Sequence, residues 1–340
     1  MFHRTASLLL AVMLLTPNDA TAAGLTPGTI LATDADRDIV IAIDPITGDR
    51  TVITGEGIGT GVDMDAPNGI ALTPNGNILV IDNGLEALIS IDPMTGNRTV
   101  ISGNGIGTGQ AFAQPVNLAV SADGTIYVAD QQPNDVIFTI DPITGNRTVF
   151  SGFGVNAGPA FERPIGLAFE ADGDLIVSNI QNDSIYSVDI DTGQRSVLSN
   201  ASTGSGPDFI LTTGVAVGDD ATIFALDSGL LAIVAIDPVT GDRSIISGPG
   251  VGFGTEFSGP VGLDIDANGN FLVADGFSAT SAIYSVDPAT GNRTIVSGFG
   301  VGAGAALEDP SFLTVVPIPE PGTLALFGLG GLALLRRRRA

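Results

Sequence analysis

Six residues recur at nearly constant spacing, each ending a short apolar run: Asp34, Asp82, Asp130, Asn179, Asp227 and Asp275. Carboxylates gathered into a ring would offer oxygen donors, which hard cations such as Ca2+ take as ligands. An aspartate at a strand end more commonly accepts hydrogen bonds from backbone amides of the next loop. Six-fold repetition favours that structural role, because functional sites break symmetry. The segment Asp34-Ala-Asp-Arg-Asp38 adds alternating carboxylates, which suit either a simple surface Ca2+ loop or a polar hairpin. It lacks the later glycine and the terminal bidentate glutamate of an EF-hand.

The missing residue types exclude whole chemistries. The chain has no Cys and no Trp, and its one His is His3. All 13 basic residues are Arg. Ser-His-Asp and Cys-His nucleophiles, Schiff-base lysines and zinc sites built on Cys or His are therefore ruled out downstream of His3. Setting aside Arg4, Asp19, Glu320 and Arg336 to Arg339 leaves 8 basic and 35 acidic residues, a charge of about −27. Such a surface repels phosphate backbones, so a nucleic-acid partner is not expected. Divalent cations and cationic or neutral polymers suit it better.

Both ends read as addresses. His3 and Arg4, the apolar run Ala6 to Leu15, and the small residues up to Ala22 and Ala23 form the three parts of a secretory signal over residues 1–23. At the other end, residues 318–340 contain Pro319-Glu320-Pro321, the apolar run Gly322 to Leu335, and Arg336, Arg337, Arg338 and Arg339. The run is shorter than the ~20 residues of a full membrane span, and the arginine cluster should stay cytoplasmic. A short transmembrane anchor is the general reading. The order of the three parts resembles the PEP-CTERM sorting signal over residues 317–340. That resemblance implies recognition by an exosortase, transient attachment to the inner membrane, removal of the tail, and delivery to the surface or extracellular matrix. Its hosts are typically Gram-negative bacteria that make exopolysaccharide.

Between the ends, residues 24–317 repeat one unit. The phrase Asp-Pro-Ile-Thr-Gly-Asp-Arg50 returns in related form at Arg98, Arg147, Arg195, Arg243 and Arg293, a period of about 48 residues. Periods of this size mark propeller blades. Each unit parses into four short strands joined by tight turns, with proline and glycine at the turn positions that need them. The first unit lacks its first strand, and Pro310 to Val316 supplies a first strand with no second. The expected fold is thus an all-β, six-bladed β-propeller of four-stranded antiparallel blades, its ring closed by the C-terminal strand.

Pro67-Asn68-Gly69, followed by a strand ending in Asp82, resembles NHL and SMP-30/gluconolactonase-like propellers across residues 28–316. For the lactonases the resemblance implies a metal ligand at the residue after that proline. Here only Asn68 fits; the matching positions are Val116, Ile165, Thr213, Val261 and Ser311. The glycine runs lead into strands, not helices, and read as inter-blade crossings instead of phosphate loops. Phe112, Phe161 and Phe257 behind them read as packing anchors, and the repeated arginines as partners of neighbouring hairpin aspartates. The expected function is a surface or matrix module that binds exopolysaccharide or a surface protein. The alternative is a metal-dependent lactonase or hydrolase.

Overall fold

The computed structural model describes residues 25–318 except Phe153 and residues 277–279. The leader with Ala22 and Ala23, and the tail from Pro319 to Ala340, lie outside the described residues. Blade 1 contains β1 (Ile30–Asp34), β2 (Ile39–Ile43) and β3 (Arg50–Thr54). Blade 2 is β4 (Pro67–Leu72), β5 (Ile78–Asp82), β6 (Ala87–Ile91) and β7 (Arg98–Gly103). Blade 3 is β8 (Pro115–Val120), β9 (Ile126–Asp130), β10 (Val136–Ile140) and β11 (Arg147–Gly152). Blade 4 is β12 (Pro164–Phe169), β13 (Leu175–Asn179), β14 (Ser184–Val188) and β15 (Arg195–Ser199). Blade 5 is β16 (Thr212–Val217), β17 (Ile223–Asp227), β18 (Ala232–Ile236) and β19 (Arg243–Ser247). Blade 6 is β20 (Pro260–Ile265), β21 (Phe271–Asp275), β22 (Ala282–Val286) and β23 (Arg293–Gly298).

The last strand, β24 (Pro310–Val315), pairs with β1 and completes blade 1, as the incomplete first unit predicts. Every blade is antiparallel, and the first strands β4, β8, β12, β16, β20 and β24 pack against one another as the innermost ring. Pro310 lies opposite Asp34 and Val315 opposite Ile30, so β24 runs from the face where the second strands end (the upper face) to the opposite, lower face.

Why these runs are strands follows from burial on both sides. In β5, Ile78 and Val80 join the core shared with blade 1, whereas Leu79 and Ile81 join the core shared with blade 3. A period of two with both faces apolar gives a continuous hydrophobic run, and six such inter-blade cores hold the ring together. Phe112, Phe161 and Phe257 are buried in these cores, with Phe209 at the same place in blade 5.

The repeated arginines do not pair with hairpin aspartates; they hold the crossings between blades. Arg195 Nε donates to the Pro159 carbonyl at 2.7 Å, and Nη1 to Ser151 Oγ at 2.8 Å and the Val155 carbonyl at 3.0 Å. Ser151 Oγ in turn donates to the Gly193 carbonyl at 2.8 Å. The unit recurs with Arg98 and Thr54, Arg147 and Ser102, Arg243 and Ser199, and Arg293 and Ser247. Guanidinium groups of Arg147, Arg195, Arg243 and Arg293 lie 5.2–5.5 Å from the ring centres of Phe112, Phe161, Phe209 and Phe257. At the ring junction Arg50 bonds Ser297 Oγ at 2.7 Å and the Val301 carbonyl at 2.9 Å, so the same clamp closes the circle. The reach depends on backbone contact. Gly61 has φ +112°, and a Cβ there would meet the Arg98 carbonyl oxygen at 2.1 Å.

A guanidinium satisfies several acceptors from a planar fork, which a lysine ammonium cannot reproduce. Arg195→Ala should lower unfolding free energy in urea by about 3–5 kcal/mol, because it strands buried acceptors. Arg195→Lys should recover less than half of that loss. Near-parental stability of the alanine variant would mean that the clamp does not support the ring.

Candidate functional site

The six strand-end residues sit one per blade, none of them solvent-exposed. Each accepts at least one amide from the crossing that arrives at its own blade's inner strand, and Asp82 and Asp227 add one from the loop after their own strand. Asp34 takes the amides of Glu308 (2.8 Å) and Asp309 (3.1 Å); Asp82 takes those of Asp65 (2.8 Å) and Leu85 (2.9 Å). Asp130 takes Ala113 (2.9 Å), and Asn179 takes Glu162 (2.9 Å) through its amide oxygen. Asp227 accepts from Ile210 and Leu230, both at 2.8 Å, and Asp275 from Ser258 (2.7 Å) and Gly259 (2.9 Å). The arrangement is a capped turn repeated around the ring. Among the described residues no three His, Cys, Asp or Glu side chains gather where they could hold a metal.

The carboxylates of the Asp34–Asp38 loop diverge as well. Asp38 Oδ1 accepts the Ala66 amide at 2.8 Å, whereas Asp34 faces the final crossing. Arg37 between them binds Glu56 and the Ala306 carbonyl.

Asn68 lies half-buried on β4, with its carbonyl accepting from Thr33 Oγ1 of blade 1. The residues at matching places do not complete a polar centre. Ile165 of blade 4 is 7% exposed and shares one apolar cluster with Phe312, the residue after Ser311 in blade 1, with Val116 and Val261 packed against it. Thr213 and Ser311 are buried hydroxyls that bond backbone carbonyls. Blades 1 and 4 are opposite each other in the ring, so Ile165 and Phe312 bring hydrocarbon across the axis.

Several departures from symmetry escape a reading based on repeats. Asp264 stands on β20 where β4, β8, β12 and β16 carry Ala71, Ala119, Ala168 and Ala216. It accepts the amides of Ile265 (2.8 Å) and, in the closing strand, Val315 (3.2 Å). Desolvation pushes its carboxyl up to about 6. A larger departure lies between blades 3 and 4. There the loop from β9 to β10 has five residues, against four between β5 and β6 or β13 and β14 and six between β21 and β22. Beside it opens a cleft of about 380 Å³ lined by Gln110, Asn134, Asp135, Val149, Val155 and Phe161. Gln110 Nε2 donates to Asn134 Oδ1 at 2.8 Å, and Gln132 Nε2 to Gln181 Oε1 of blade 4 at 3.0 Å. The amide of Arg163 donates to Asp135 Oδ1 at 2.8 Å, and its exposed guanidinium donates to Gln131 at 3.2 Å. Aligning the units by their arginines would have exposed the extra loop residue, though not the cleft.

Fold and tail together define an exported β-propeller with a C-terminal sorting signal. Residues 317–339 match the PEP-CTERM protein-sorting motif, a signal recognised by exosortase-type enzymes. No curated protein matches the chain. Among solved structures, the chain is similar to one in the nidogen/laminin complex, with TM-score 0.63, 14% identity, and 85% of this chain and 98% of the other covered. It is also similar to a gluconolactonase from Xanthomonas campestris, with TM-score 0.55, 16% identity, and coverage of 73% and 79%. A Bacteroides caccae protein of unknown function gives 0.61, 13%, and 85% and 98%. At these identities the likeness is one of fold. No helix among the described residues is long and apolar enough to cross a membrane.

Burial pushes the carboxyls of Asp82 and Asp130 up to about 6, against the pull of their amide partners. A carboxyl with a higher pKa folded than unfolded binds its proton more tightly in the folded chain. Its contribution is full below the unfolded value of about 4 and is lost as pH rises through about 6. Asp130→Asn, which copies the amide found at Asn179, should flatten the fall in urea stability between pH 4.5 and 6.5. An unchanged slope would show that Asp130 does not titrate in this window.

Proposed function

We propose that this protein is a non-enzymatic binding or scaffold module of the cell surface, outer membrane or extracellular matrix of a Gram-negative bacterium. It is delivered there by exosortase-type processing of its tail, and it binds exopolysaccharide or another surface protein. One observation carries the reading: a sorting motif follows a propeller whose axis is crossed by hydrocarbon from Ile165 and Phe312, with Val116 and Val261 packed against them. A metal-dependent hydrolase needs an open, polar coordination site. The strand-end carboxylates that could otherwise supply ligands are engaged with backbone amides.

A ligand that binds only the folded state raises its melting temperature. The purified protein should melt at the same temperature in EDTA and in millimolar Ca2+, and should not hydrolyse aldonolactones in either. A Ca2+-dependent rise in melting temperature, accompanied by lactone hydrolysis that Asn68→Ala removes, would replace this reading with that of a lactonase.

A further inference from the structure

We infer that the lower-face hairpins of blades 6, 1, 2 and 3 form a contact surface for a zwitterionic lipid bilayer, engaged while the apolar run Gly322 to Leu335 is still attached. The inference rests on the surface-module reading, whose sorting tail it uses, and adds to it a membrane-facing side of the ring. In each blade the third and fourth strands are joined at the lower face by the recurring Asp-x-x-Thr-Gly turn, whose third residue stands at the apex. Ile46, Met94 and Ile143 are 92%, 70% and 93% exposed there. The turn itself does not call for an aliphatic side chain. Asp44 Oδ1 accepts the Ile46 amide at 2.8 Å, and the same bond from the equivalent aspartate holds Asp191 in blade 4 (3.1 Å) and Ala289 in blade 6 (2.8 Å). Because polar and small residues complete the turn as well, the exposed aliphatics serve a contact outside the chain.

The crossings widen each apex. Ile58 and Ile106 are exposed and pack against the turns of Met94 and Ile143. A Cβ on Gly96 would lie 3.2 Å from Ile58 Cγ2, and one on Gly145 3.1 Å from Ile106 Cγ2. Beside the blade 6 hairpin Phe253 is 81% exposed, and its amide donates to Asn292 Oδ1 at 2.8 Å. The other crossings carry Thr60, Thr108, Ala157, Ser205 and Ala303 at that place. Blades 6, 1, 2 and 3 are consecutive around the ring, so these apolar groups form one arc. Blade 4 interrupts it with Asp191, and in blade 5 the exposed Val239 stands beside Thr203 and Ser205 instead of apolar crossing residues.

The path of the chain identifies what covers the arc. After the buried Val316, Pro317 lines a groove with Pro74 of blade 2 and Ala122 of blade 3, so the tail departs at the lower face on the side of the arc. Gly322 is six residues beyond Val316. A bilayer that takes up the apolar run therefore begins no further than about 22 Å from Val316 even along a fully extended chain. Aliphatic and aromatic side chains held this close to lipid gain by leaving water for the interface. Charge selects the lipid. Asp44, Asp92 and Asp141 are exposed beside the apices, and Arg50, Arg98 and Arg147 of the same hairpins are held by the crossings. Anionic headgroups are repelled by this edge, and zwitterionic ones are not.

Because the chain has no Cys, one introduced cysteine can carry a fluorophore. The full-length protein bearing Ile46→Cys, Met94→Cys, Ile143→Cys or Asp191→Cys is labelled with an environment-sensitive dye and reconstituted into phosphatidylcholine vesicles. Aqueous iodide should quench the labels at 46, 94 and 143 at least about threefold less than the label at 191, as expected for side chains at the headgroup boundary. Changing Phe253, Ile46 and Met94 together to serine should return the label at 143 to the level of 191. Phosphatidylglycerol vesicles should reduce the protection. Equal quenching at all four positions in chains that float with the vesicles would overturn the proposal alone. Protection that survives the serine substitutions would also overturn it, since the dye would then insert by itself, and so would greater protection on phosphatidylglycerol. Chains that do not float would overturn it together with membrane attachment of the tail. Failure of the surface-module reading is seen separately, as lactone hydrolysis.

Discussion

The ring stands on a repeated arginine held chiefly by neutral oxygens, with a crossing carboxylate joining at three of the six: Asp63 at Arg98, Asp208 at Arg243 and Glu256 at Arg293. Six arginines begin the outermost strands, and each grips the crossing that arrives from the preceding blade. Burial lowers the pKa of Arg50, Arg147 and Arg195. The guanidinium offsets this desolvation by distributing its N–H groups over several carbonyls and one hydroxyl. That arrangement dictates the crossing's composition. The backbone must approach the neighbouring hairpin so closely that side chains are excluded, which explains the alternating glycines without any phosphate chemistry.

From this clamp the remaining geometry follows in order. A crossing fixed at its outer end delivers an amide to the strand-end residue of its own blade, as Asp65 does to Asp82, while the loop after the strand adds a second from Leu85. The capped turn sets the entry of the next inner strand, and six inner strands converge on the axis. There the short residues Gly166, Gly214 and Gly262 let neighbouring backbones meet, since a Cβ at Gly214 would lie 2.8 Å from the Leu263 nitrogen. The same links operate at the junction of β24 and blade 1, where Arg50, Asp34 and Thr33 all contact the C-terminal segment. Ring closure therefore uses the ordinary blade interface and no special device.

Much of this was legible in the sequence because the structure is periodic. The arginine-ending phrase revealed the blade number, and the half unit at each end revealed the closing strand. Partner choice was less legible. Arg195 follows an aspartate-rich hairpin in sequence, yet its partners Ser151, Val155 and Pro159 lie about 40 residues earlier, a relation set by the outer strands meeting around the circumference. The hydroxyl signal was present all along in Thr54, Ser102, Ser151, Ser199, Ser247 and Ser297, one per unit. Asn68 was singled out by its neighbours' types, but only three-dimensional packing places Phe312 and Ile165 together across the axis. The Gln110–Asn134 hydrogen bond joins a crossing to a loop 24 residues later, a meeting that the repeat pattern does not encode.

The closing strand also constrains how the tail can be handled. Val316 is fully buried, its amide donating to Thr29 at 2.9 Å and its carbonyl accepting from Gly28 at 2.8 Å. The matched sorting motif begins at residue 317, directly after this anchored point. Detaching β24 would expose Phe312 and Leu313 and open the inter-blade cores they help to fill. The residue that finishes the ring is therefore the covalent neighbour of the first residue of the motif, and the two hydrogen bonds at Val316 separate folded strand from sorting signal.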